Sequence, residues 1–263
     1  NNKKTQKKEK IISTSISASG MAFPNYIASI NYAKTLTDLN EIIIVISIIG
    51  NDFDQSFQKY AIRGRRGGLG QFYFNKTSKE MNFVGMPNKQ NLIQKSIDFL
   101  FKRSALTRYL VRNLKFERYL SKNFKFLTRQ KEIEKKYVAN IIDTKKEDTP
   151  ERFELGFLAI DIFINKLKEL RNSSYARQRT FLIIDADRYA IYDNYPVSKD
   201  SFYQTMRKEI IKKATTNGFK IIDMKPIFSA DYAKHNLKFN SPYDGHWNAY
   251  GHEKVSEEII KMI

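Results

Sequence analysis

One apolar run constrains the fold of this chain more than any other feature of its sequence. Residues 41–50 read Glu-Ile-Ile-Ile-Val-Ile-Ser-Ile-Ile-Gly, with almost no polar position between the apolar ones. A strand needs such a continuous run when both of its faces are covered, as in a parallel sheet packed between helices. The run is also far shorter than the roughly 20 apolar residues that a membrane span requires. The sequence therefore predicts a parallel sheet with a buried strand at 41–50.

Segments typical of strands and helices alternate on both sides of this run. Stretches rich in β-branched and aromatic residues predict three further strands, at 11–17, 180–185 and 219–223. Apolar residues at helical spacing predict helices at 23–39, 151–171, 199–217 and 249–263. Strands that alternate with helices form a parallel sheet covered on both faces, so we expect a single α/β domain over residues 1–263.

The middle of the chain departs from this alternation. A glycine-rich loop at 63–70 precedes two short apolar segments, 71–75 and 81–85, which we expect to pair as a hairpin. A helix is predicted at 91–114, before a stretch dense in Lys, Arg and Phe. We interpret residues 63–142 as an inserted, lid-like region. The glycine-rich loop is not typical of a phosphate-binding loop, because it neither follows a buried strand nor ends in Gly-Lys-Ser/Thr.

Composition excludes several classes of function. The chain has no cysteine, which excludes disulfides, thiolate metal sites and a cysteine nucleophile. Its net charge is +18, from 46 basic and 28 acidic residues, but the lysines are spread out and form no basic stripe interleaved with aromatic residues. We expect a solvated basic surface and no nucleic-acid partner, with a basic nucleic-acid or polyanion binder kept as a rival. No motif has the spacing of metal ligands, so we expect neither a metal nor a cofactor.

The choice of a general base is narrow, because the chain has only three histidines, at 235, 246 and 252. His246 lies in Ser-Pro-Tyr-Asp-Gly-His-Trp-Asn, where Asp244 precedes it by two residues and Asn248 is placed to cap the last helix. On a tight glycine-containing turn, the Asp244 carboxylate can accept from Nδ1–H of the imidazole, which fixes the tautomer that takes a proton at Nε2. Taken alone, the pair fits a role in holding the turn at least as well.

Two other motifs follow predicted strands. The buried strand ends in Ile-Gly-Asn-Asp at 49–52, where the amide of Asn51 could donate to an oxyanion or, equally, form an Asx turn. Ser19 and Gly20 follow the first predicted strand, where a glycine allows its backbone N–H to come close to a ligand. Each motif is weak evidence when taken separately.

The order of these motifs along the chain resembles that of the SGNH (GDSL-type) hydrolases. Gly20 matches the block II glycine of that family, Asn51 the block III asparagine, and Asp244 and His246 the block V acid and base. The Asp-x-His-Trp-Asn form is similar to the variant in alginate-O-acetylation-type proteins of the family. The resemblance implies a flavodoxin-like three-layer α/β/α sandwich with a parallel sheet. It also implies a serine esterase acting on acyl esters, with O-acetylated carbohydrates among the expected substrates, or an O-acyltransferase of the same fold.

The sequence departs from the family pattern at the nucleophile. The family's serine lies in a Gly-Asp-Ser motif before the block II glycine, whereas this chain has no Gly-Asp-Ser and only 19 residues before Gly20. We therefore expect the first strand and the nucleophile to lie upstream, and the chain on its own to be inactive. Ser19 is the alternative nucleophile within the chain. A non-catalytic binding module with an SGNH-like fold is the rival from another class, and the localisation stays open.

Other polar and aromatic residues near the proposed site have two interpretations each. Ser19, Asp52 and Trp247 are candidates for substrate contact, although Trp247 also fits packing under the last helix. Asp185 and Arg188, with Asp187 between them, follow the strand at 180–185. For these three residues we expect turn chemistry at a strand end rather than substrate contact.

Overall fold

The apolar strands predicted from the sequence pair side by side in one parallel sheet. A computed structural model describes residues 15–16, 21–35, 41–50, 52–57, 71–84, 148–172, 177–192, 201–241 and 246–262. Their strands are, in chain order, β1 (Glu41–Ile48), β2 (Gln71–Phe74), β3 (Met81–Val84), β4 (Arg177–Ile184) and β5 (Lys220–Asp223). The parallel sheet has the order β1-β4-β5, while β2 and β3 form a separate antiparallel hairpin.

Seven helices accompany these strands in the part of the chain that the structure describes. They are α1 (Phe23–Thr35), α2 (Asp52–Gln55), α3 (Pro150–Asn172), α4 (Arg188–Tyr192), α5 (Phe202–Thr216), α6 (Met224–His235) and α7 (Ala249–Met262). The mixed α/β class with a parallel sheet is therefore confirmed. The hairpin and the helices predicted at 23–39, 151–171, 199–217 and 249–263 are confirmed as well, with shifts at some of their ends.

Some predictions differ from the structure or fall beyond it. Ser15 and Ile16 are in no strand, and the rest of the strand predicted at 11–17 lies outside the described residues. Residues 85–147 also lie outside them, so the helix at 91–114 and the lid-like insertion stay predictions. Helix α6 was not predicted; its N-cap is Asp223, whose Oδ1 accepts from the backbone N of Lys225 at 3.0 Å.

The larger apolar core lies on the face of the sheet covered by α1, α3 and α5. Ile46 and Ile48 of β1 and Leu182 and Ile184 of β4 belong to it. Its helices are locked by aromatic contacts, such as the stacked rings of Phe23 in α1 and Phe163 in α3, with centroids 4.2 Å apart. Phe74 of the hairpin also lies in this core, and its backbone N donates to the Ser56 carbonyl at 2.8 Å. The hairpin therefore packs against the segment that directly follows α2.

A smaller core lies on the opposite face of β4 and β5. Successive side chains of a strand alternate between its faces, so Ile183, between Leu182 and Ile184, points away from the larger core. Ile183 and Ile222 pack there with residues of α6, α7 and the segment between them, including Phe228 and Phe239, whose rings are stacked at 4.1 Å. Helices thus cover both faces of β4 and β5.

Burial of β1 differs from the expectation that both of its faces would be covered. Ile46 and Ile48 are buried, but Ile43 is 37% exposed and Val45 41% exposed on the other face. The prediction of a strand buried on both faces is therefore wrong for β1 and correct for the buried end of β4, Phe181–Ile184. The physical reason is coverage: α6 and α7 pack over β4 and β5, and β1 pairs with β4 alone among the described strands.

Two identical substitutions test this difference between the faces of β1. Ile48→Ala should lower the free energy of unfolding by about 2–5 kcal/mol, because it opens a cavity in the larger core. Ile43→Ala should cost about 1 kcal/mol or less, because that side chain is already partly in water. Urea denaturation followed by circular dichroism measures both values. Equal losses would show that the outer face of β1 is covered.

Candidate active site at the carboxyl edge of the sheet

The strands of the parallel sheet end level with one another at their carboxyl ends. Ile48 of β1 lies beside Ile184 of β4, which lies beside Asp223 of β5. Acidic side chains occur at each end: Asp52 shortly after β1, Asp185 directly after β4, and Asp223 itself. This edge of an open parallel sheet is where α/β proteins bind ligands. Asp52, Asp185 and Asp223 therefore lie along one edge of the sheet.

Asp52 is fully buried and holds the turn that follows β1. Its Oδ2 accepts from the backbone N of Ile49 at 2.9 Å and from the Tyr26 hydroxyl at 3.0 Å. Burial raises the pKa of Asp52 to about 8, although these two hydrogen bonds act in the opposite direction. The carboxyl group is thus neutral at pH 7. Asp52 pins the end of β1 to the start of α2, and its enclosure leaves no access for the substrate contact suggested by the sequence.

A buried ion pair involves Asp54, two residues after Asp52. Arg152 of α3 donates from Nε to Oδ2 of Asp54 in α2 at 2.9 Å, and both side chains are almost entirely enclosed. The Arg152 guanidinium also lies over the ring of Phe202, 4.1 Å from its centroid. These contacts fix the short helix α2 against α3 and α5. Because α2 directly follows the turn after β1, these contacts also hold the far end of that turn.

The two stems of the loop that carries His246, residues 239–241 and 246–248, pair with each other in antiparallel fashion. The backbone N of Asn248 donates to the Phe239 carbonyl at 2.8 Å, and that of Ser241 donates to the His246 carbonyl at 2.8 Å. Oδ1 of Asn248 accepts from the backbone N of Gly251 at 2.8 Å, which confirms Asn248 as the N-cap of α7. His246 is exposed at the end of this loop. Its side chain is therefore accessible to a substrate.

Trp247, next to His246, is anchored to the end of β4. Its indole Nε1 donates to Oδ1 of Asp185 at 3.0 Å, and its ring meets that of His252 edge-on, with centroids 5.5 Å apart. The indole is only partly exposed and packs against the smaller core. The packing interpretation of Trp247 thus has direct support in these contacts.

A second chain of hydrogen bonds holds the other stem of the loop. Arg188 donates from Nη2 to Oδ2 of Asp185 at 3.2 Å and from Nη1 to Oδ1 of Asn240 at 2.9 Å. The Tyr192 hydroxyl donates to the same oxygen of Asn240 at 2.8 Å and accepts from the backbone N of Phe239 at 2.7 Å. Burial raises the pKa of Asp185, against the opposing effect of the Arg188 charge. Both stems of the His246 loop are therefore attached to the segment that follows β4.

The structure places three of the predicted site residues: His246, Asp52 and Trp247. It puts the loop of His246 and Trp247 at the end of β4, and Asp52 at the end of β1. Asp244, Ser19, Gly20 and Asn51 lie outside the described residues, so their roles stay predictions. Within the described ranges, no group of three or more His, Cys, Asp or Glu side chains could hold a metal ion.

Several residues at this edge were missed in the sequence. Tyr26, Tyr192 and Asn240 carry no local signal, because each contacts a partner far away along the chain. Asp185 and Arg188 were expected to serve turn chemistry, and Asp185 does accept from the backbone N of Ala186 at 2.7 Å. Their further contacts with the His246 loop were not foreseen.

Comparisons with known proteins add nothing to this geometry, since no family model, curated protein or solved structure matches the chain. Among the described helices, none combines the length and the apolar character that crossing a membrane requires. A function therefore has to be inferred from the residues of the chain itself.

Asp52 predicts a pH dependence of stability. Its pKa is about 8 in the folded protein and about 3.9 in an unfolded chain. Between these values the folded state binds more protons than the unfolded one, so the contribution of Asp52 to stability decreases as the pH rises from about 4 to about 8. Asp52→Asn should remove this component while keeping an acceptor for Ile49 and Tyr26. Urea denaturation at several pH values measures it, and an unchanged pH slope in the variant would contradict the assignment.

Proposed function

We propose that this chain carries the acid–base part of a serine-esterase active site of the SGNH type. His246 is the general base, Asp244 orients it, and the backbone N–H of Gly20 and the amide of Asn51 bind the oxyanion. The observation that supports this most strongly is the placement of His246. It is exposed on a loop whose two stems are attached to the end of a parallel strand, where α/β enzymes hold their catalytic groups.

The reaction follows from the chemistry of these groups. As a serine Oγ attacks the ester carbonyl carbon, Nε2 of His246 takes the hydroxyl proton, and the Asp244 carboxylate stabilises the imidazolium by accepting from Nδ1–H. The negative oxygen of the tetrahedral intermediate accepts from Gly20 and Asn51. The imidazolium then protonates the departing alcohol oxygen, which leaves an acyl-serine. Water, deprotonated by His246, hydrolyses this ester and releases the acid.

The turn after β1 supports the part assigned to Asn51. Asp52 is pinned through Ile49 and Tyr26, and the neighbouring α2 is fixed by the pair of Asp54 and Arg152. A donor that stabilises an oxyanion has to be held in place before the charge develops, because reorganising it would cost part of the benefit. Ile49 and Asp52, which precede and follow position 51, are held in this way, and this supports the part assigned to Asn51.

The substrate class is an acyl ester, with O-acetylated carbohydrates as the preferred example. The sheet β1-β4-β5, with helices on both faces of β4 and β5, supports the flavodoxin-like three-layer sandwich proposed for the domain. Hydrolysis and acyl transfer share the acyl-serine and differ only in the acceptor, which is water in one case and a sugar hydroxyl in the other. Product analysis with an acetylated sugar and an unacetylated acceptor distinguishes these two reactions.

Replacing His246 by Ala tests the proposal in the full-length protein. The turnover of p-nitrophenyl acetate should fall by about a thousandfold or more, because the attacking serine loses its base. His235→Ala is the matched control, since His235 is exposed at the end of α6 and has no assigned role. Circular dichroism checks that both variants keep the fold. Undiminished turnover in His246→Ala would refute the esterase assignment.

A further inference from the structure

We propose that Asp185 is a positioning residue of this site, which fixes the loop of His246 through Trp247 on one stem and through Arg188 and Asn240 on the other. The inference deepens the proposed function and rests on it for its catalytic consequence. Its structural part, a clamp between the end of β4 and the loop, can be tested separately.

Asp185 is a rigid point from which to hold the loop. It directly follows β4, the strand with a neighbour on each side in the sheet, and its backbone N donates to the Ile48 carbonyl of β1 at 3.0 Å. Its side chain is 2% exposed, and it accepts from the backbone N of Ala186, from Nε1 of Trp247 and from Nη2 of Arg188. Three donors on one enclosed carboxylate leave it little freedom to move.

Two sets of hydrogen bonds, called arms here, connect Asp185 to the base of the loop. The first arm is the direct bond from Trp247, and the second reaches Asn240 through the Arg188 guanidinium. Asn240 and Trp247 are themselves paired in an antiparallel bridge. One residue further along each stem, the backbone N of Ser241 donates to the His246 carbonyl. A shift of either stem would therefore change the direction in which His246 presents its imidazole.

The energetic cost of this arrangement favours a role beyond stability. Asp185 and Arg188 are both about 1% exposed, and a buried ion pair is often no more stabilising than apolar residues of similar size. Its advantage is direction, because the charged groups accept and donate along fixed lines. The Tyr203 hydroxyl, which donates to the Asp185 carbonyl at 2.5 Å, further fixes the backbone at this point.

Trp247→Phe cuts the first arm and keeps an aromatic ring. In the full-length protein we expect kcat to fall about tenfold to a hundredfold with KM nearly unchanged, because the substrate still binds while the base is misplaced. Tyr250→Phe is the matched control. It keeps the ring that stacks on Phe239 and removes only a hydrogen bond of 2.6 Å from α7 to Asp231 in α6, so it should leave kcat at the wild-type value.

Hydrogen exchange supplies a readout that does not depend on activity. The amides of Ser241 and Asn248 close the loop, so Trp247→Phe should speed up their exchange about tenfold while Tyr250→Phe leaves it unchanged. If Trp247→Phe does not fold, Asn240→Ala cuts the second arm at a half-buried position and should give the same two results.

The outcomes separate the clamp from the proposed function. Faster exchange together with a lower kcat supports the inference. Unchanged exchange overturns the clamp whatever the activity, and faster exchange with an unchanged kcat overturns the positioning role. If His246→Ala leaves turnover intact, the esterase assignment fails, and with it the catalytic part of this inference, whereas the exchange rates still decide whether the clamp exists.

Discussion

The pairing of β1 with β4 is the constraint on which the rest of the described structure depends. The two strands run parallel in unbroken register from Glu41 beside Arg177 to Ile48 beside Ile184. The hydrogen bond from Asp185 to Ile48 carries the contact one residue beyond the strands. This register decides which residues reach the carboxyl edge. It brings the turn of Asp52 and the clamp of Asp185 to the carboxyl edge of neighbouring strands, although they come from distant parts of the sequence.

The distribution of buried charge separates this edge from the remaining core. Among the described residues, the buried charged side chains lie at this edge or pair with a residue there, as Arg152 does with Asp54 and Arg207 with Asp223. The enclosed ionisable groups near the edge include Asp52, Asp54, Asp185, Asp187 and Arg188. Enclosing such groups costs free energy that apolar residues would not cost. Departures from the simplest way to stabilise a fold are expected where a protein holds functional groups in place, which agrees with a site at this edge.

Much of the fold follows from local patterns in the sequence. The apolar runs at 41–50 and 180–185 predict β1 and β4 because a strand in a parallel sheet needs apolar residues on successive positions. Helix α6 was missed because it follows β5 without a loop and has Pro226 in its first turn, where a proline is tolerated. The exposure of Ile43 could not be predicted either. It is an isoleucine within the same apolar run as the buried Ile46, and only the placement of the covering helices distinguishes the two faces.

The candidate site divides in the same way between local and distant contacts. The cap formed by Asn248 depends on a neighbour three residues away, which a sequence motif can reveal. The clamp joins Asp185 to Trp247 across 62 residues, and Arg188 to Asn240 across 52, so no local pattern announces it. The raised pKa of Asp52 likewise comes from burial, which depends on the packing of whole helices around the turn.

The most direct test of the account is active-site labelling of the full-length protein with a fluorophosphonate, which reacts with serines activated by a general base. Peptide mass mapping then identifies the modified residue. The proposed site should give one labelled serine, with labelling lost in His246→Ala and kept in His235→Ala. Label on Ser19 would identify the nucleophile within this chain, and label on another serine would assign it elsewhere. The absence of any labelled serine, or labelling that persists without His246, would contradict the esterase site.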